Sequence, residues 1–448
     1  MHTISNSVVK KDHAPKMEGR SVYVCDIDKA FAEADKVYTE EFETGYQDQT
    51  YLETQGMMAE PEEGGRMFVH GSMQCAYYVH GAVMRALNCG PADVHVHQDV
   101  TGGGFGAPQT FFAVEMMMDH IAKDLGVDTL EFKEAHLVKQ GDATSTSGKY
   151  HFPVPLPAMV DEVDKACDLR RKHKEYAKPQ TGRYRRGIGF SMHFHGAGFT
   201  GSGERDLIKA VARLHKYKDG TVEILASNGE IGQGLRTTFP KIVAHELNLP
   251  LEKVFYDHPD TSRVPDSGPT VASRSLMTVG ELLRRAAIKL RTEWKDGEDQ
   301  IVEEKFVEPD FMIPFYLDKF RGDAYPTYAW GAQAIEVEVD TYTGIAKILG
   351  AYASFDVGTP MDYNIVMGQM EGGFLQGIGY ASTEFMNYDN KGRIRNNSFS
   401  DYLIPTAVDV PVLNCQLHVE EYPFGPYGAK GAGELPLVGA AKEGNGLW

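Results

Sequence analysis

The segment TVEILASNGEIGQGLRTTFPKIVAHELNLPLEKVFYD, residues 221–257, changes its hydrophobic period in the middle. Residues 221–227 read as a strand, whereas from Leu235 onward apolar residues recur at the spacing of an amphipathic helix. Between the two, Gly229, Gly232 and Gly234 make a turn almost without side chains, and Gln233 stands between two of them at the mouth of the helix. Backbone N–H groups at such a helix start have no intrahelical partner. They are free to hold an anion, and the missing side chains let it approach closely. The segment therefore predicts a strand, a glycine turn and a helix, with a ligand against bare backbone and a tight turn without a ligand as the two readings of the turn.

The flanking sequence extends this pattern. ARLHKYKDG and the strand after it turn at Asp219–Gly220, and GAQAIEVEVDTYTGIAKILGAYASFDVG (331–358) reads as a hairpin turning near Thr343–Gly344. MFVHGSMQCAYYVHGAVMRAL (67–87) predicts a strand, a turn near Gly71–Ser72 and a helix from about Ala76 to Leu87. VHVHQDV alternates with period two and runs into the glycine-rich TGGGFGAPQ (101–109), after which residues 109–126 are helical in spacing and closed by Gly126. Strands and helices mix without strict alternation, so the fold class is α+β. Residues 1–27 are a polar lead-in with one short strand, residues 28–152 form a first domain, and residues 153–448 form a second. Pro153–Gly182, charged and punctuated by prolines, is read as the join between them.

At 448 residues, 42% hydrophobic and 24% charged, the chain has the composition of a globular protein with more than one core. A formal charge of −18 speaks against nucleic acid as its partner, because phosphates are met by an excess of Lys and Arg. The basic run from Arg170 to Arg186 is read as a solvated helix end and linker, with a docking face for an acidic subunit as the other reading. The five cysteines are scattered and form no C-x-x-C pair, which supports neither a disulfide framework nor a cluster loop. No run reaches the length of a membrane span, and no signal peptide is evident, so the expected location is the cytoplasm. His95 and His97 share a strand face but lack a third ligand, and are read as structural.

Several familiar motifs fail. Gly102, Gly104 and Ala107 satisfy G-x-G-x-x-G/A, but the acid expected about twenty residues on could only be Asp124, in the tail of a predicted helix. His245–Glu246 begins H-E-x-x-H, yet residue 249 is leucine. Other stretches are more telling. In SGPTVASRSLMTV, Thr270, Ser273 and Ser275 offer more hydroxyls than one helix cap needs, which predicts a second ligand-facing loop. GQMEGGFLQGIGYASTEFM has five glycines on a helical pattern, each costing about 1 kcal/mol against alanine. Close packing or a ligand must compensate, and Gln376 would project among those glycines. In FGPYGAKGAGELP one acid, Glu434, stands in a bare loop beside Leu435 and Pro436, a setting that predicts a desolvated carboxylate suited to general-base work.

Taken in order, GSMQ, GGGFG, GEIGQG, DTSRVPDSGPTVAS, EVEVDTYTG, GQMEGGFLQGIG and GAKGAGELP resemble the motifs of the molybdenum hydroxylases. These are the molybdopterin-binding catalytic subunits of the xanthine dehydrogenase and aldehyde oxidase family. The likeness runs through nearly all of the chain from Asp28. It implies two molybdopterin-binding-type domains of mixed sheets and helices, with the usual small N-terminal domain largely absent and residues 1–27 its remnant. It also implies molybdenum held by the pterin dithiolene rather than by side chains, with the cytosine dinucleotide as one form of the cofactor. The reaction implied is hydroxylation of an electron-poor C–H carbon with water, on an aromatic N-heterocycle such as a purine or nicotinate, or on an aldehyde. Electrons would leave to [2Fe–2S] and FAD groups on an iron–sulfur subunit and an FAD subunit, in a hetero-oligomer.

Residue by residue, Glu434 resembles the base and Gln74 the amide that hydrogen-bonds a molybdenum ligand. Gly104, Phe105 and Gly106 resemble the backbone wall beside the metal. Gly232, Gln233, Gly234, Thr270, Val271, Ala272, Ser273, Ser275 and Gln376 resemble the pterin and pyrophosphate contacts. TGGGFGAPQ departs from the family: it joins the front of GGGFG to the back of a later R-G-F-G-x-P-Q motif, and Gly103 stands where that motif has arginine. The segment between the two, which carries substrate-pocket residues, is missing. The chain also stops soon after Glu434, where family members usually continue into a closing helix. A shortened homologue without activity, serving as a subunit or relic, and a carbon monoxide dehydrogenase-like subunit are the alternative readings.

Overall fold

The computed structural model describes residues 31, 34–42, 56–62, 64–99, 101, 109–198 and 203–439. Gly104, Phe105 and Gly106 lie outside these residues. The first sheet holds β1 (Met57–Pro61), antiparallel to β2 (Met67–Gly71), and β3 (Val94–Gln98), parallel to β2. Helix α1 (Ala76–Leu87) makes the crossover and ends on a left-handed Asn88. Alternation in VHVHQ buries Val94, Val96 and Gln98 and leaves His95 and His97 half-buried. His95 Nε2 lies 2.7 Å from Asp260 Oδ1, and Thr261 N–H donates to the Val96 carbonyl, so this sheet docks edge-on against a loop of the second half.

Helix α2 (Gln109–Leu125) ends at Gly126, whose φ is +68°, and α3 (Thr129–Ala135) is capped by the Asp128 carboxylate. The stretch read as a charged join is instead two helices, α4 (Leu156–Cys167) and α5 (Leu169–Tyr176), hinged on a left-handed Asp168. Beneath the charges, Leu156, Met159, Val160, Val163 and Cys167 recur at helical spacing and are buried. Most of the basic residues are spent within the chain: Arg170 faces Glu134, Asp161 and Asp164, Lys172 faces Glu336, and Arg183 faces Asp340. That agrees with a solvated face rather than a free docking patch.

The second sheet has the order β11-β10-β9-β4. It is built from β4 (Tyr184–Ala197), β9 (Thr327–Asp340), β10 (Ala346–Asp356) and β11 (Leu413–His418). The third has the order β7-β6-β5-β8, from β5 (Val211–Lys216), β6 (Val222–Leu225), β7 (Val254–Phe255) and β8 (Gln300–Lys305). Helices α6 (Leu235–Leu247) and α7 (Gly280–Thr292) cover the third sheet through a core that includes Phe239, Val243, Leu283 and Ala287.

Strand β9 is buried from Thr327 to Val337, so both of its faces must be covered. Tyr328, Trp330, Ala332 and Ala334 share one core with α4, and with Leu130 and Tyr150 from before the expected join. Ala329, Ile335 and Val337 share another with Met370, Phe374 and Ile378 of α8 (Tyr363–Ser382) and with Leu435. Two of the puzzling glycines of α8 are thereby explained. A Cβ at Gly373 would lie 2.5 Å from Pro436, and one at Gly379 would lie 2.3 Å from Glu384 Oε1.

At the end of β10, Asp356 meets Lys430 at 2.5 Å with the two side chains 0% and 1% exposed. The other Asp356 oxygen accepts the N–H groups of Gly358 and Glu420. A buried pair this fully satisfied is costly to break from one side. Lys430→Met is expected to lose about 3–5 kcal/mol of stability, read as a lower urea-unfolding midpoint, while adding Asp356→Leu to it should recover part of the loss.

Candidate cofactor site

One cavity of about 530 Å³ opens between four loops and the start of α8. Its wall includes Gln74, residues 231–233, residues 270–276, Val357, residues 359–362 and residues 430–434. Thr270 ties three of these segments together. Its Oγ1 accepts the Gly229 N–H at 2.8 Å, its carbonyl accepts the Gln74 side-chain amide at 2.7 Å, and its own N–H points to the Gln74 carbonyl at 3.4 Å. Gly229 must be glycine, because a Cβ there would lie 2.0 Å from the buried Gln98 amide. Ser275 Oγ accepts from Asn228 at 3.1 Å. Ser273 Oγ donates to Glu434 Oε2 at 3.1 Å. The surplus hydroxyls thus join loops to one another as well as facing the cavity.

The anion expected at the start of α6 is supplied by the chain itself. Glu230 Oε1 accepts the N–H groups of Gly232 and Gly234, and Oε2 accepts that of Arg236, so the free donors read from the sequence are already engaged. The physical reason is that a carboxylate four residues upstream reaches the positive end of the helix across side-chain-free glycines. Gln233 also turns inward, accepting from Ile231 N–H and donating to the Gly229 carbonyl. Along α8 the cavity is lined by Gln369, two turns before Gln376, and Gln376 is not among the lining residues.

The loop at 270–275 is held in an unusual shape. Ala272 and Ser273 both have left-handed φ, +51° and +53°, a conformation that costs non-glycine residues energy and persists only when the surroundings enforce it. Gly431 leaves room for it here, since a Cβ at 431 would lie 1.5 Å from the Ser273 carbonyl oxygen. Glu434 is less sealed than its loop suggested, with a side chain 26% exposed and Oε2 at 3.5 Å from His195 Nε2. Tyr325 faces it too: burial, and then the Glu434 charge, push the phenol above its ordinary range.

Sequence reasoning passed over His195, Arg274, Lys430 and Thr359. Only the histidine had a signal, the alternation of SMHFHGA that puts His193 and His195 on one strand face. Arg274 is fully buried and paired with Glu204, yet its Nη2 has no partner, and Thr359 Oγ1 is likewise buried and unpaired. Both residues line the cavity. Unpaired donors around a floor of bare backbone at Gly232 and Gly433 suit a large, polar, anionic ring system. The residues present fit a pterin cofactor.

Comparison with known proteins agrees. Two family models, each described as a molybdopterin cofactor-binding domain, match this chain: one over residues 162–311 and 298–411, the other over 10–107 and 104–137. Aldehyde oxidoreductase from Megalodesulfovibrio gigas is 30% identical, over 75% of this chain and 38% of its own length. The xanthine dehydrogenase molybdenum-binding subunit of Escherichia coli O157:H7 is 29% identical, over 75% of this chain and 49% of its own. For aldehyde oxidase 4 from Cavia porcellus the figures are 26%, 83% and 29%. The chain thus spans less than half the length of these relatives. Among solved structures, a Cu,Mo-CO dehydrogenase superposes with a TM-score of 0.80 at 19% identity, covering 93% of this chain and 73% of that one. Aldehyde oxidoreductase from Desulfovibrio gigas gives 0.80 and 19%, covering 93% and 59%. The chain belongs to the molybdopterin-binding oxidoreductases of the xanthine dehydrogenase and aldehyde oxidase family.

Proposed function

We propose that this chain is the catalytic, molybdopterin-binding part of a molybdenum hydroxylase, with Glu434 as its base. One observation carries the reading: Gln74, Gln233, the 270–275 loop and Glu434, far apart in sequence, line a single cavity. The open space over Gly232 and Gly433 would face the pterin, with Thr270–Ser273, Ser275 and Gln369 beside it. Phe105 and Gly106, outside the described residues, would stand beside the metal as the resemblance of their motif implies. When bound, the cofactor supplies a molybdenum centre for hydroxylation with oxygen drawn from water.

The chain's own groups do the rest. Gln74, tied to Thr270 by one amide proton, retains its second proton and its carbonyl oxygen for a ligand. Glu434, held through Oε2 by Ser273, keeps Oε1 to take the proton released as oxygen adds to carbon. The substrate class is an electron-poor C–H carbon of an aromatic N-heterocycle, or an aldehyde. Iron–sulfur and FAD subunits receive the electrons, in keeping with a relative that is itself named a molybdenum-binding subunit. Among the described residues no helix is long and apolar enough to cross a membrane.

Protein purified from molybdenum-replete cells is expected to hold the metal in equimolar amount by mass spectrometry and to release a fluorescent pterin on oxidation. Cytidine monophosphate in the acid hydrolysate would identify the dinucleotide form. No molybdenum under those conditions sinks the proposal. Glu434→Gln should lower turnover by about 10²–10⁴-fold with the metal retained, and loss of the metal instead would show that the residue serves binding. Gly431→Ala, which forces a methyl group onto the Ser273 carbonyl, is expected to lower molybdenum content and also turnover per bound metal, because Ser273 holds Glu434.

A further inference from the structure

Strand β4 ends with two histidines aimed at the loop that carries Glu434. His193 is fully buried, and burial pushes its pKa down to about 4, so the ring is neutral. Its Nε2 lies 3.3 Å from the Leu435 carbonyl, which can only accept, and its Nδ1 lies 3.2 Å from Ser191 Oγ. Opposite it, β9 is bare at Gly331, where a Cβ would come within 2.4 Å of the ring. His193 therefore holds the backbone immediately after Glu434. His195, two residues on and on the same face, reaches the carboxylate itself: Nε2 is 3.5 Å from Oε2. Its Nδ1 is buried without a partner.

A neutral imidazole carries one N–H. Placing that proton on Nδ1 would bury an unpaired donor, while placing it on Nε2 points it at a carboxylate. Ser273 donates to the same oxygen. With His195 as a second donor on Oε2, the carboxylate would be kept from rotating and Oε1 left for the cavity. Contacts of this kind are often long before ligand binds and tighten with it.

We propose that His195 is a positioning residue for Glu434, holding the carboxylate by Oε2 through its Nε2–H so that Oε1 faces the cavity. The inference rests on the reading of Glu434 as the base. His195→Phe keeps the ring's shape and removes the donor. It is expected to lower kcat by about 10–100-fold with KM and molybdenum content unchanged. His195→Gln, which restores an N–H near the position of Nε2, should recover most of that loss. The double variant His195→Phe/Glu434→Gln should be no slower than Glu434→Gln alone. Equal activity of His195→Phe and wild type, or no recovery with glutamine, overturns the proposal.

A second arm is independent of turnover and of the cofactor. Ring ¹⁵N spectra of histidine-labelled protein, with the His195 signal identified by its loss in His195→Gln, should show the Nε2–H tautomer, and Glu434→Leu should shift it. An Nδ1–H tautomer, or a signal indifferent to Glu434→Leu, overturns the contact. A chain found without molybdenum would defeat the functional reading, while this spectrum would still decide the histidine's role.

Discussion

The carbonyl oxygen of Ser273 sits where a side chain at residue 431 would begin, and the rest of the cavity depends on that approach. It brings the loop ahead of α7 against the loop that carries Glu434, and it leaves room for the left-handed conformation of Ala272 and Ser273, which no local preference would select. Thr270 continues the chain of contacts to Gly229 and Gln74. The site is therefore assembled by loop-to-loop hydrogen bonds over bare backbone, with the sheets acting as the frame that brings the loops within range.

Periodicity made much of that frame legible. The hairpin at Thr343–Gly344, the strand–turn–helix of residues 221–247 and α1 stand where alternation and helical spacing place them. The 153–182 stretch reads as a join because it is dense in charge and punctuated by prolines, although its apolar residues lie on one helical face and pack beneath β9. Composition sees the solvent side of such a helix and period sees the buried side. Here the period was the better guide.

Within the site, glycine runs marked the loops, because only a close approach explains so many missing side chains. What they could not reveal was which polar groups those loops would use on one another. Glu230 reads in sequence as one more acid, yet it folds back over Gly232 and Gly234 and occupies the positive end of α6. Arg274 and Lys430, which sequence reasoning passed over, are buried, each against a single carboxylate. Partnerships of this kind depend on which loops meet, and that is a property of the tertiary fold.

The order in which the chain is made gives the arrangement of β4 and β9 a further meaning. These partners are separated by the entire third sheet with its two helices, and residues 430–434 are synthesised later still. Pairings so distant form late in folding, after the local hairpins. Until β9 has been made, the strand bearing His193 and His195 has no pairing strand, and until residues 430–434 have been made the 270–275 loop lacks its contact with Gly431. The cavity wall is complete only once residues 430–434 have been made, so a ligand that needs all of its loops can be held only after that point.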